Sequence, residues 1–126
     1  MGFRLIIVLL ALSGLINTAV FIRSACRSTE SQCSLVCRDR AARLFWGLPN
    51  TALGAAYYLM IGMLSLFAAP HYPALSVTIG RTLSLIALAT SLFLALYLIL
   101  KLKTPCPICM LGHGVNLLIA LVYWSK

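Results

Sequence analysis

Long apolar stretches without charged side chains alternate with polar segments along the chain. Four such stretches cover residues 5–22, 50–69, 82–100 and 107–124, and each contains 18 to 20 residues. An α-helix rises about 1.5 Å per residue, so each stretch is long enough to cross a hydrocarbon core about 30 Å thick. The stretches lack the strict alternation of barrel strands. The pattern therefore predicts an all-α membrane protein, built as a bundle of four transmembrane helices.

The first stretch could alternatively be a cleavable signal peptide, because Arg4 precedes a long apolar run. The apolar core of a signal is usually about 7–15 residues long, whereas this run continues through Phe21 and Ile22 without a clear small-residue cleavage site. We therefore expect a retained helix. The 126 residues then suit one membrane domain, 1–126, which leaves no room for a second folded module.

The largest polar segment, residues 23–49, lies between the first two stretches. It contains both acidic residues and three of the five cysteines. Its beginning is rich in Ser, Thr and charge, which indicates an irregular loop. Residues 35–46 mix Leu, Val, Phe and Trp with arginines, as expected for a short amphipathic helix on a membrane surface. The link at residues 70–81 carries two prolines and no cysteine, and predicts a plain turn.

Composition supports a lipid environment: 62% of the residues are hydrophobic, 10% are charged, and the mean hydropathy is +1.01. The net charge of +8 comes from basic residues scattered at the ends of apolar stretches, which argues against nucleic acid and suits helix anchors. Seven basic residues fall on the cysteine face: Arg23, Arg27, Arg38, Arg40, Arg43, Lys101 and Lys103. Three fall on the face of the termini: Arg4, Arg81 and Lys126. This bias favours a cytosolic cysteine face in the cell membrane, while the sequence alone leaves the orientation undecided.

A Cys-Pro-Ile-Cys motif opens the fourth stretch, at Cys106 to Cys109. Pro107 suits the first turn of a helix, which places Cys106 at the N-cap and Cys109 three residues further on. Side chains at this spacing lie about 5–6 Å apart on one side of a helix, close enough to form a disulfide. The helix N-terminus also stabilises a thiolate, the reactive form of cysteine. The pair can therefore act as a nucleophile and as a reversible disulfide.

The alternative for this motif is a metal site, because a CxxC motif is also half of many zinc sites. The second half would have to come from Cys33 and Cys37, which are four residues apart, and His71 is expected at the opposite membrane face. We favour redox chemistry and predict no metal. The alternative function is a metal-binding membrane adaptor or a small transport subunit.

The whole pattern resembles the vitamin K epoxide reductase family over nearly the entire chain. The matching residues are Cys33-Ser34-Leu35-Val36, Gly47-Leu48-Pro49, Asn50, Gly54, Tyr58 and the segment 106–116. This resemblance implies a four-helix bundle around a quinone of the ubiquinone or menaquinone (vitamin K) type. It also implies an enzyme that passes electrons from a separate thioredoxin-like protein, or from substrate dithiols, to that quinone.

The resemblance also implies a role for four cysteines. Cys109 resembles the cysteine that reacts with the quinone, and Cys106 its partner that exchanges with the loop. Cys33 resembles the inner shuttle cysteine, and Cys26 the outer one that meets substrate thiols. The loop from Cys33 to the following Gly-Leu-Pro is one residue longer than usual and carries an extra Cys37, so the choice of inner cysteine stays open.

Polar residues inside the apolar stretches are costly in a membrane and are candidates for function. Asn50 matches a family asparagine that hydrogen-bonds a quinone oxygen, and a helix cap is the alternative. His113, four residues beyond Cys109, takes the place of a tyrosine with the same role, and an interhelical hydrogen bond is the alternative. Asn116 also matches the family, but lies one turn deeper, which favours helix packing.

Glycines and tyrosines in these stretches are interpreted as structural. Close helix contacts are predicted at Gly54, Gly62, Gly112 and Gly114. Anchoring at the membrane interface is predicted for Tyr57, Tyr58, Tyr97, Tyr123 and Trp124.

Overall fold

The computed structural model describes residues 1–23, 50–103 and 106–126. Over these residues the chain forms four long helices and no strand: α1 (Gly2–Phe21), α2 (Asn50–Met63), α3 (Pro73–Tyr97) and α4 (Pro107–Trp124). α2 continues through a π-helical turn, Leu64–Ala68, and a last α-helical turn, Ala69–His71. α3 continues through a second π-helical turn, Leu98–Leu102.

Each of the four helices is long and apolar enough to cross a bilayer. Each helix, with the continuations of α2 and α3 included, contains an 18-residue stretch whose mean hydropathy is 2.1, 1.7, 2.4 and 1.5 in chain order. The prediction of a four-helix transmembrane bundle is therefore confirmed. The predicted loop and its surface helix at residues 35–46 lie outside the described residues, as do Cys26, Cys33 and Cys37.

The third helix begins at Pro73, nine residues before the predicted start at residue 82, so the prediction of a plain turn over 70–81 is wrong from Pro73 onward. Proline is well suited to the first turn of a helix. The charge of Arg81 is accommodated within the helix because its Nε donates a hydrogen bond to the carbonyl oxygen of Tyr123, at 3.1 Å. Its guanidinium also lies 5.7 Å from the ring centroid of Trp124. An arginine near a membrane interface is tolerated when it is paired in this way.

Neighbouring helices run in opposite directions. α1 packs against α2 and α4, and α4 packs against α1 and α3. The ring of Phe3 lies 5.6 Å from that of Tyr123, so the chain termini share one end of the bundle. At the other end, Phe21 packs against Cys106. The start of α4 and the end of α1 are thereby brought to the same face.

Two tyrosines fill the closest approaches between helices. The ring of Tyr58 lies against Gly14 of α1, and the ring of Tyr123 lies against Gly80 of α3; a Cβ at either glycine would overlap the ring. The two tyrosines are only 4% and 1% exposed. The prediction that they anchor the interface is therefore wrong, because neighbouring polar groups satisfy their hydroxyls inside the bundle.

Candidate active site

The cysteine pair lies at the start of α4. Pro107 is the first residue of the helix and Cys106 is its N-cap, with extended backbone angles (φ −84°, ψ 115°), as the sequence predicts. Cys106 is 0% exposed and packs against Phe21, Ile108 and Cys109. The end of α1 therefore covers the N-terminus of α4, and the first cysteine is held in a closed environment.

The two cysteines are in different chemical states. Cys106 is disulfide-bonded. Cys109 carries a free thiol and is half-buried. Cys109 is therefore not the disulfide partner of Cys106, and the chain's other three cysteines lie outside the described residues. The pair thus has one sulfur in a disulfide and one sulfur as a free thiol.

The two predicted quinone ligands lie near this end of the bundle. His113 is one helical turn beyond Cys109 on the same face of α4 and is half-buried, and its imidazole makes no hydrogen bond to a described residue. Its alternative role in an interhelical hydrogen bond is not observed among these residues. Asn50 is the first residue of α2. Tyr58, eight residues later in α2, contacts Gly112 of α4. Because a helix rises about 1.5 Å per residue, Asn50 lies about 12 Å nearer than Tyr58 to the end of the bundle that carries the cysteine pair.

An adjacent face of α4 fixes the helix in the bundle. Asn17 of α1 donates from Nδ2 to the carbonyl oxygen of Ile108, at 3.0 Å. The Tyr58 hydroxyl donates to Oδ1 of Asn116, at 2.8 Å, and lies 3.3 Å from the carbonyl oxygen of Gly112. Residues 108, 112 and 116 form one line along α4, next to the line of Cys109 and His113. The rotation of α4 that presents Cys109 is therefore set by α1 and α2.

Asn116 completes a network across three helices. Its Nδ2 donates to Oγ of Ser91 in α3, at 2.6 Å, while its Oδ1 accepts from Tyr58 in α2. The interpretation of Asn116 as a packing residue is confirmed. Asn17, in contrast, was not assigned from the sequence. The available signal was an amide side chain within the first apolar stretch, where polar groups are costly unless they are paired.

Replacing Tyr58 with Phe should measure how much this hydrogen-bond network stabilises the folded bundle. The ring is kept against Gly14, whereas the hydrogen bond to Asn116 is lost. Hydrogen bonds between membrane helices average about 0.6 kcal/mol and reach about 1.7 kcal/mol. We expect a loss of unfolding free energy in this range, measured by reversible unfolding in mixed detergent. In a double-mutant cycle with Asn116→Leu, purely additive losses would contradict the network.

Among residues 1–23, 50–103 and 106–126, no three His, Cys, Asp or Glu side chains lie close enough together to hold a metal ion. A metal centre would have to draw on the cysteines of the loop between α1 and α2. The described residues instead offer a thiol, a disulfide and a histidine at the start of one helix.

Comparison with known proteins assigns the chain to a family. The profile described as the vitamin K epoxide reductase family matches residues 5–124, nearly the whole chain. Comparison with curated proteins gives no match. The family comprises membrane thiol-disulfide oxidoreductases linked to a quinone, which agrees with four membrane-spanning helices and a cysteine pair at the start of the last. The chain is thus a multi-pass membrane protein that belongs to the vitamin K epoxide reductase family.

Proposed function

We propose that this protein oxidises the thiols of a thioredoxin-like partner, or of substrate dithiols, and passes the electrons through its cysteines to a membrane quinone. The observation that carries the proposal is the unequal state of its cysteine pair. Cys106 is disulfide-bonded to a sulfur other than that of Cys109, while Cys109 is a free thiol. A relay needs this division, because one cysteine must exchange with a second disulfide while the other reacts at the acceptor.

The relay begins at the loop and ends at Cys109. A partner thiol attacks a Cys26–Cys33 disulfide, and the second partner thiol displaces the mixed disulfide, so that the partner is oxidised and both loop cysteines become thiols. Cys33 then attacks Cys106, the Cys106–Cys109 bond breaks, and Cys109 leaves as a thiolate. Attack of Cys26 on Cys33 restores the loop disulfide and releases Cys106. Each step is a thiolate displacement that conserves electrons and sulfur bonds.

The quinone, when bound, accepts two electrons and two protons, while Cys106 and Cys109 return to the disulfide. Asn50 and His113 would hold it by hydrogen bonds to its oxygens. The half-buried imidazole of His113, one turn beyond Cys109 and without a hydrogen bond to a described residue, supports this fit. Apolar side chains also lie at the pair, as a quinone ring requires: Phe21 and Ile108 pack there.

The proposal is tested with purified protein in detergent, a set of dithiol donors and either ubiquinone or menaquinone analogues. We expect thiols and quinone to be consumed in a ratio of about two to one, because each disulfide formed releases two electrons. The Cys33→Ser and Cys37→Ser variants identify the inner loop cysteine by which of them stops turnover. Bound zinc without quinone-linked thiol oxidation would overturn the proposal and favour the metal-binding adaptor.

We further propose that the cysteine face is cytosolic. Seven basic residues fall on that face by sequence and three on the face of the termini. Lys126 Nζ lies 5.5 Å from the ring centroid of Phe3, which supports a shared face for both termini. In intact cells, a membrane-impermeant maleimide should not label Cys109. Labelling should appear only after the cells are permeabilised and the protein is reduced. Labelling of intact cells would contradict this orientation.

A further inference from the structure

We propose that Asn17 is a positioning residue that tunes the thiol exchange of Cys106 by holding the peptide group between Ile108 and Cys109, an inference that rests on the proposed function of this pair. Asn17 lies on α1, four residues before Phe21, and its side chain is half-buried. The residue faces the turn that carries both cysteines.

The contact joins Asn17 to the backbone inside the cysteine motif. Its Nδ2 donates to the carbonyl oxygen of Ile108 at 3.0 Å. A carbonyl oxygen has two lone pairs, so this bond adds to the helical bond that the same oxygen accepts. Gly112 leaves the space for the amide, since a Cβ there would lie 3.1 Å from Nδ2 of Asn17. α1 therefore holds the first turn of α4 through a specific hydrogen bond as well as through packing.

The peptide group that Asn17 binds carries an N–H group that can interact with the sulfur of Cys106. The carbonyl of Ile108 and the N–H of Cys109 belong to the same amide, and a hydrogen bond at the carbonyl polarises the N–H. N–H groups in the first turn have no helical partner and point toward the N-cap, where a side chain accepts from the second or third residue. Cys106 is that N-cap, and Cys109 is the third residue of α4. In this structure the sulfur of Cys106 is in a disulfide and makes no cap hydrogen bond.

The effect of Asn17 falls on the steps that release Cys106 as a thiolate. In the relay, Cys26 attacks Cys33, a new Cys26–Cys33 bond forms, the Cys33–Cys106 bond breaks, and Cys106 leaves with the electron pair. A leaving thiolate that accepts a hydrogen bond from a polarised N–H is stabilised and leaves faster. The same bond stabilises the reduced pair relative to its disulfide, which makes the pair a stronger oxidant.

The test measures the disulfide equilibrium of the pair alone. The full chain carries Cys26→Ser, Cys33→Ser and Cys37→Ser, so Cys106 and Cys109 hold the two remaining thiols. The protein is equilibrated with glutathione, where two protein thiols and one oxidised glutathione give the Cys106–Cys109 disulfide and two reduced glutathiones. Acid quenching, alkylation and mass spectrometry then give the oxidised fraction.

Two variants remove the hydrogen bond from opposite sides. Asn17→Leu deletes the donor, and Gly112→Ala places a methyl group against it. Each should shift the equilibrium toward the disulfide by about three- to tenfold, the range expected for one interhelical hydrogen bond. The matched control is Thr18→Val, because Thr18 lies next to Asn17 and bonds only within its own helix, to the carbonyl oxygen of Gly14. We expect a shift below about twofold in this control.

The double variant separates the proposal from a loss of packing. Because both changes break the same bond, Asn17→Leu combined with Gly112→Ala should shift the equilibrium no further than the larger single change. Additive shifts, or an Asn17→Leu shift equal to that of Thr18→Val, would overturn the inference. The measurement uses neither quinone nor partner protein, so failure of quinone reduction in the natural chain would count against the proposed function and leave this result standing.

Discussion

Replacement of Cys109 with Ala should reduce quinone-linked thiol oxidation to the rate without protein, by about a thousandfold or more. Cys109 is the free thiol of the pair, whereas Cys106 is engaged in a disulfide. Without Cys109 the disulfide at the start of α4 cannot form, so no electron pair can leave the relay. Loop exchange with Cys106 stays possible, and we expect a stable mixed disulfide at Cys106 that non-reducing mass mapping detects.

The control for this variant is Met110→Leu, at the next residue of α4, which is also half-buried. It preserves size and apolar character and should retain turnover within about twofold of the natural chain. The variant and its control should bind similar amounts of detergent and show the same helical content. Quinone reduction by Cys109→Ala at a rate near that of the control would exclude Cys109 as the reacting thiol.

The second large effect is expected for stability, at Gly14. A Cβ at this position would overlap the ring of Tyr58. Gly14→Ala therefore forces α1 and α2 apart or displaces the ring, and a displaced ring also loses its hydrogen bond to Asn116. Overpacking of this kind costs about 1–3 kcal/mol. The expected result is a lower midpoint in reversible unfolding by sodium dodecyl sulfate.

Gly114→Ala is the matched control for this prediction. A Cβ at Gly114 would meet no described atom within 4 Å, although the residue lies in the interior of α4. Alanine is favoured over glycine inside a helix by about 0.5–1 kcal/mol, so this variant should be neutral or slightly more stable. Equal destabilisation by both substitutions would show that the contact between Gly14 and Tyr58 does not limit the helix approach.

The sequence was sufficient for the number and type of helices, because length and hydropathy decide whether a segment can cross a bilayer. The boundary at Pro73 was missed, since the rule that excluded charged residues from a span also excluded Arg81. The structure shows that this charge is satisfied at the end of α4, by the carbonyl of Tyr123 and the ring of Trp124. Pairing of that kind depends on which helices are neighbours, and a single sequence does not state it.

Glycine and tyrosine were harder to interpret than cysteine and proline. The predicted contact at Gly112 is confirmed, whereas a Cβ placed on Gly62 would lie in ordinary contact with Cβ of Ala11, at 3.7 Å. At Gly54 and Gly114 a Cβ would meet no described atom within 4 Å, so the described helices make no close contact at either position. The tight positions, Gly14 and Gly80, are recognised only through the tyrosines that face them. By contrast, the start of α4 follows from Pro107 alone, since the fixed φ of proline acts locally.

The packing of Tyr58 against Gly14 has a consequence for the order in which the bundle assembles during synthesis. α1 and α2 are adjacent along the chain, so their antiparallel hairpin can close in the membrane before α3 and α4 have left the ribosome. The segment with three cysteines is then tethered at both ends, while the hydroxyl of Tyr58 still lacks the amide of Asn116. Insertion of α4 supplies that amide and delivers Cys106 and Cys109 to the same face. The disulfide of Cys106 can therefore form only after the last helix has been made and brought to this face.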